Sequence, residues 1–162
     1  MIIPGGESTT ISLLINENDL FDPIKEFGES KPVMGTCAGL ILMSKNCADL
    51  KIAPFGFLDI DILRNAYGSQ INSKEYKVDY NFGDGKLMKI STTLIRAPKI
   101  IKYSKESIVL GKIKSNPIAI LSGHFLGLTF HPELNGIKIF HEVLFDTKSK
   151  YFYKNIINNY ET

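Results

Sequence analysis

The chain has 162 residues, of which 44% are hydrophobic and 22% charged, with a formal net charge of +2. That is enough for one domain with a real core, in the ordinary composition of a globular protein. Its 19 basic and 17 acidic residues nearly balance, and the positive charge is mostly scattered lysine. Neither a nucleic-acid partner nor a membrane span is expected, because there is no basic stripe and no apolar run long enough to cross a bilayer.

The chain opens Met1-Ile2-Ile3-Pro4-Gly5-Gly6, the tail of a buried strand ahead of a turn, and a three-residue stump makes a poor core strand. Gly5-Gly6-Glu7-Ser8-Thr9-Thr10 then leads into a helix start, with Ile11, Leu13, Leu14 and Ile15 as its expected apolar face. Residues 16–19 interrupt, and residues 20–28 predict a second short helix. Lys31-Pro32 feeds an apolar approach, Val33-Met34, into Gly35-Thr36-Cys37-Ala38-Gly39. Leu40, Ile41, Leu42 and Met43 give the following helix its apolar content, and Lys45-Asn46 marks its expected polar end. This βα, βα order predicts a mostly parallel sheet covered by helices.

From Phe55 onward the texture changes. Residues 58–63 alternate with period two, as a half-buried strand does. Residues 64–70 form a polar, Gly-containing loop, and residues 74–79 a further strand before the turn signal Asn81-Phe82-Gly83-Asp84-Gly85. Strands are expected over 87–90, 92–95, 108–113 and 118–122. Gly127-Leu128-Thr129-Phe130 leads into His131-Pro132-Glu133, and residues 137–160 are helical in period.

The stretch 32–43 has the layout of a nucleophile elbow, where a strand turns sharply into a helix and holds one reactive side chain at the apex. The helix start behind Cys37 offers unpaired N–H groups and a positive dipole end, an environment that favours a thiolate. A thiol nucleophile needs a base and an orienter. His131 and Glu133, two apart in an expected extended segment, would share a face, so that the carboxylate holds the ring. The oxyanion of acyl transfer needs backbone donors: Ala38, at the helix N-terminus, and Gly6 in the opening turn. Glu7 and Ser8 read equally well as helix caps.

The remaining candidates are plainer. Cys47 reads as structural, His124 as a turn residue, and His141 as a capping or packing residue. No metal-ligand spacing or phosphate-cradling loop is present, so neither a metal nor a cofactor is expected. Two cysteines, Cys37 and Cys47, with no signal-peptide pattern, fit a reducing, cytoplasmic setting.

The motifs Gly35-Thr36-Cys37-Ala38-Gly39 and Phe130-His131-Pro132-Glu133-Leu134 resemble those of class I glutamine amidotransferases. Pro4-Gly5-Gly6-Glu7-Ser8-Thr9-Thr10, Arg64-Asn65-Ala66-Tyr67-Gly68 and Arg96-Ala97-Pro98 narrow the resemblance to the glutaminase subunits of pyridoxal 5′-phosphate synthase, over nearly the whole chain. The resemblance implies a three-layer, flavodoxin-like α/β fold. It also implies hydrolysis of L-glutamine to glutamate and ammonia through a cysteine thioester. Cys37 would be the nucleophile, His131 the base and leaving-group acid, Glu133 the orienter, and Gly6 and Ala38 the oxyanion donors. Gly5, Gly6, Glu7, Ser8, Arg64, Arg96 and Ala97 would lie at the glutamine pocket or its edge.

The same resemblance implies a synthase (lyase) subunit as partner, which receives ammonia through an internal passage and whose docking organises the oxyanion turn. It further implies a strand, a helix and a second strand ahead of the Gly5-Gly6 turn. Residues 1–162 are therefore expected to be a single glutaminase domain, incomplete at its N-terminus. Two alternatives stand beside this reading: a non-catalytic module that occupies the synthase docking surface, and an amidotransferase subunit serving another acceptor.

Overall fold

The computed structural model describes residues 1–49, 51–64 and 73–161. The opening stump forms a two-residue strand, β1 (Ile2–Ile3), parallel to β2 (Val33–Thr36). Between them lie α1 (Ser8–Glu17) and α2 (Phe21–Ser30). The face of α1 differs from the expected one. Ser8, Ser12 and Ile15 point inward, whereas Leu13 and Leu14 are 55% and 51% exposed. Ser12 tolerates burial because its Oγ accepts the Ala53 N–H at 3.3 Å, so the hydroxyl is not left unpaired.

α3 (Ala38–Met43) follows β2 and is buried along its whole length. Lys45 and Asn46 do not end that helix as expected. They sit in a strand, β3 (Ser44–Cys47), parallel to β4 (Leu58–Leu63). β5 (Lys74–Asn81) and β6 (Leu87–Leu94) make a hairpin, the latter merging the two short strands expected there. β7 (Lys99–Tyr103), a strand beyond those expected from sequence, pairs antiparallel with β4. β8 (Ile108–Ile113), β9 (Asn116–Ser122) and β10 (Phe125–Leu128) complete the strands. The expected loop over 64–70 lies outside the described residues except for Arg64.

The main sheet has seven strands in the order β1-β2-β10-β9-β8-β5-β6, and β3-β4-β7 form a smaller one. The α/β architecture with flanking helices is as expected, but the sheet is mixed rather than mostly parallel. Only β1–β2 and β2–β10 run parallel in the main sheet; the other pairs are antiparallel. The cause is connection length. Parallel neighbours need a long crossover, and short turns such as those of β5–β6, β8–β9 and β9–β10 permit only antiparallel return.

Alternation along the central strands divides the core in two. Val33 faces a layer with α3, Phe55, Leu58 and Ile60, whereas Met34 faces a layer with Tyr80, Phe82, Phe130 and Phe140. The second layer is closed by α4 (Ile139–Phe145) and α5 (Tyr153–Glu161), two helices where the sequence suggested one continuous helical region. Among the described residues no helix is long and apolar enough to cross a membrane.

Candidate active site

Cys37 sits between β2 and α3 with φ 51° and ψ −105°. An L-residue keeps such a conformation only when its surroundings hold it there. Two contacts do so. The Cys37 N–H donates to the Leu128 carbonyl at 2.8 Å, tying the corner to β10. Behind it, α3 packs so closely on β1 that a Cβ on Gly39 would stand 1.9 Å from the Ile3 carbonyl oxygen. The thiol forms no disulfide and the residue is 8% exposed.

The register of β2 and β10 brings the second group to the first. Thr36 stands opposite Leu128 in parallel strands, so Cys37 and the segment running to His131 leave the sheet at the same end. His131 is extended, but Pro132–Asn135 then closes into a 3-10 turn rather than continuing the strand. Glu133 reaches back from that turn, and His131 Nδ1–H donates to its Oε1 at 2.7 Å. The pairing expected from sequence is present, by a tighter route than i, i+2 alternation. With Nδ1 engaged, Nε2 is the nitrogen left for Cys37. The nearby Cys37 side chain is the main reason the imidazole pKa rises to about 9; burial opposes it, and Glu133 adds to it.

Around this pair lies a cleft of about 560 Å³, lined by Gly6, Glu7, Ser8, Cys37, Ala38, Ile41, Arg64, Ile95, Arg96, Pro98, His131 and Leu134. Most of the expected site residues therefore converge. Gly5 lies against the His131 ring instead, Glu133 stands behind that ring, and Ala97 is 2% exposed within the core. Gly6 has φ 145°, a backbone state open to glycine and strained for other residues.

Glu7 is the N-cap of α1, and its carboxylate accepts from the Thr10 amide at 2.7 Å and the Thr9 amide at 3.2 Å. Hydrogen bonds from Thr9 and Thr10 hold its pKa down at about 2. Arg64 donates to Glu7 at 3.0 Å and also to Asp49. Arg96, exposed and at φ 41°, forms no ion pair among the described residues. Asp49, Ile41, Ile95, Pro98 and Leu134 were not singled out from sequence. Ile41 carried a signal, one helical turn after Cys37, and so did Leu134, next to Glu133.

The other titratable candidates stand apart from this cleft. His124 Nε2 bonds the Gly28 carbonyl at 2.8 Å, joining α2 to the β9–β10 turn. Cys47 lies in β3 and packs on the core, and His141 is in α4. Among the described residues no cluster of three or more His, Cys, Asp or Glu side chains could hold a metal ion.

A strained cysteine at a strand-to-helix corner, set in a curled mixed sheet between helical layers, is the architecture of the class I glutamine amidotransferases. A solved glutamine amidotransferase matches this fold with a TM-score of 0.73 at 28% identity, covering 99% of this chain and 78% of its own. Another, from Thermotoga maritima, has a TM-score of 0.52 at 14% identity, covers 98% of this chain and 74% of its own, and supports the fold alone. The chain belongs to the SNO glutamine amidotransferase family, whose family model matches residues 1–148, and it is thus an enzyme of the amidotransferase type. It is similar to the pyridoxal 5′-phosphate synthase subunit PdxT of Thermoplasma volcanium, 46% identical over 143 residues, covering 88% of this chain and 69% of that one. The PdxT of Oenococcus oeni is 43% identical over 146 residues, covering 88% of this chain and 73% of its own.

Proposed function

We propose that the chain hydrolyses L-glutamine to L-glutamate and ammonia at Cys37, and that the ammonia passes to a synthase subunit for pyridoxal 5′-phosphate assembly. The observation that carries the site assignment is that Cys37, strained at its corner, and His131, held by Glu133, line one cleft. The similarity to PdxT subunits supports the substrate and the partner.

The steps follow from those groups. His131 takes the thiol proton, and Cys37 Sγ attacks the side-chain amide carbon of glutamine. The resulting oxyanion is met by backbone N–H groups of Ala38 and Gly6. The carbon–nitrogen bond breaks as His131 returns the proton to the leaving nitrogen, which departs as ammonia, and a thioester remains. Water, deprotonated by His131, attacks that thioester; glutamate leaves and the thiol is restored. Glu133 keeps the imidazole in one tautomer throughout and stabilises its charged form.

Charge distribution suggests where the amino-acid end sits. Arg64 is shared by two carboxylates, Glu7 and Asp49, so that trio is net negative and suits an ammonium. Among the described residues Arg96 lines the cleft without an ion pair, and it suits the α-carboxylate. Free thiols at Cys37 and Cys47 accord with a reducing, cytoplasmic setting.

The deciding assay measures ammonia from glutamine with and without saturating synthase subunit. We expect release that the partner stimulates and Cys37→Ala abolishes. Binding to the partner with no ammonia above the Cys37→Ala background would overturn the reading and leave a non-catalytic module.

A further inference from the structure

Arg64 reaches the cleft from the end of β4, 57 positions along the chain from Glu7. Its Nη2 donates to Glu7 Oε1 at 3.0 Å, while Nη1 donates to Asp49 Oδ2. The Arg64 side chain is only 22% exposed and that of Asp49 30%, so water competes for this pair less than at an open surface. Asp49 is itself fixed. Its Oδ1 accepts the Lys51 N–H at 3.0 Å, and its carbonyl accepts the Ile52 N–H at 3.1 Å.

At the other end Glu7 caps α1 and follows Gly5-Gly6, and Gly5 touches the His131 ring. A continuous chain of contacts therefore runs from the loop after β3, through one guanidinium, to the turn that lies on the imidazole. We propose that Asp49 is a positioning residue of the cleft: by holding Arg64, it fixes Glu7 and with it the Gly5-Gly6 turn against His131. A guanidinium with a single carboxylate partner can swing about that contact. With two partners on different segments its plane is set.

This inference deepens the glutaminase reading and rests on it for its consequence, so the test has one arm that needs no glutamine. Asp49→Asn is the informative variant, because it keeps Oδ1 as acceptor for Lys51 and removes the charge facing Arg64. Hydrogen exchange is followed residue by residue in the full chain. Cys37 labelling is followed by mass spectrometry with two reagents: a glutamine-shaped diazo ketone, and iodoacetamide as a small control.

In Asp49→Asn we expect exchange at the Thr9 and Thr10 amides to rise about tenfold, and diazo-ketone labelling to slow about tenfold, on the scale of one lost bond to a charged group. Iodoacetamide labelling should stay as in the parent, and Asp49→Glu should restore both changes. Unaltered exchange at Thr9 and Thr10 would overturn the inference, and so would a rise spread evenly over the chain. A parent protein that reacts with iodoacetamide but never with the diazo ketone would sink the glutaminase reading instead. The exchange arm would then still decide whether Asp49 holds the turn.

Discussion

Gly5 lies so close to His131 that a Cβ on it would stand 2.1 Å from the ring Cε1 and 2.8 Å from Nε2. The missing side chain is the space that the imidazole occupies. Gly5→Ala must push the ring away, and that ring, held by Glu133, is the base proposed for Cys37. We expect glutamine-dependent ammonia release to fall about a hundredfold, the scale of a misplacement near one ångström. The melting temperature should change little, because the ring borders an open cleft. Parent-like turnover in Gly5→Ala would show that the turn moves aside freely.

The imidazole pKa, raised from 6.5 to about 9 chiefly by the nearby Cys37 side chain, ties stability to pH. The folded value lies above the unfolded one, so the contribution is complete below 6.5 and is lost as pH rises through about 9. Cys37→Ala removes the leading cause and leaves burial, which acts in the opposite direction. We expect NMR titration of the His131 ring protons to give a midpoint well below 9 in Cys37→Ala. The decline in melting temperature between pH 7 and 9.5 should flatten with it. A midpoint still near 9 would move the cause to Glu133.

What the sequence disclosed, and what it hid, follows the range of each interaction. The elbow was legible because its glycines answer local crowding: a Cβ on Gly35 would stand 2.7 Å from the backbone carbon of Gly39, four residues on. Glu133 was legible because it needs only two residues to reach His131. The inward face of α1 was not, since Ile11, Leu13, Leu14 and Ile15 are nearly consecutive and fit more than one helical face. What turns Ser12 inward is a bond to Ala53, far along the chain. β3, Ser44-Lys45-Asn46-Cys47, has no strand-like composition and exists because β4 pairs with it. Asp49 had no local mark at all, as its partner Arg64 lies fifteen residues on, just past the end of β4.

Arg96 lines the cleft beside Ile95 and Pro98 without an ion pair among the described residues. If it receives the α-carboxylate of glutamine, the contact is the same in ground and transition states and contributes to binding rather than to the chemical step. Arg96→Met keeps an unbranched side chain and removes the charge. We expect KM for glutamine to rise roughly tenfold to a hundredfold with kcat nearly held. An unchanged KM would remove Arg96 from the carboxylate assignment.

Tyr80 of β5 and Thr92 of β6 are both fully buried, and although Tyr80 stands opposite Met88 in the hairpin, its hydroxyl lies 2.8 Å from that of Thr92. Thr92 also donates to the Ile90 carbonyl at 3.4 Å, which leaves the Tyr80 hydroxyl as the donor of the shared bond. Burial pushes the Tyr80 hydroxyl pKa well up, so it stays protonated and keeps that role. Tyr80→Phe deletes the donor but leaves the Thr92 oxygen in a dry core, at a cost of about 1–3 kcal/mol. Thr92→Val strands the tyrosine hydroxyl at a similar cost. Removing both leaves no orphan, so the double variant should be more stable than the sum of the single losses implies. Chemical denaturation of the parent and the three variants measures that coupling directly. Strict additivity would mean that water reaches the hairpin face and satisfies each hydroxyl by itself.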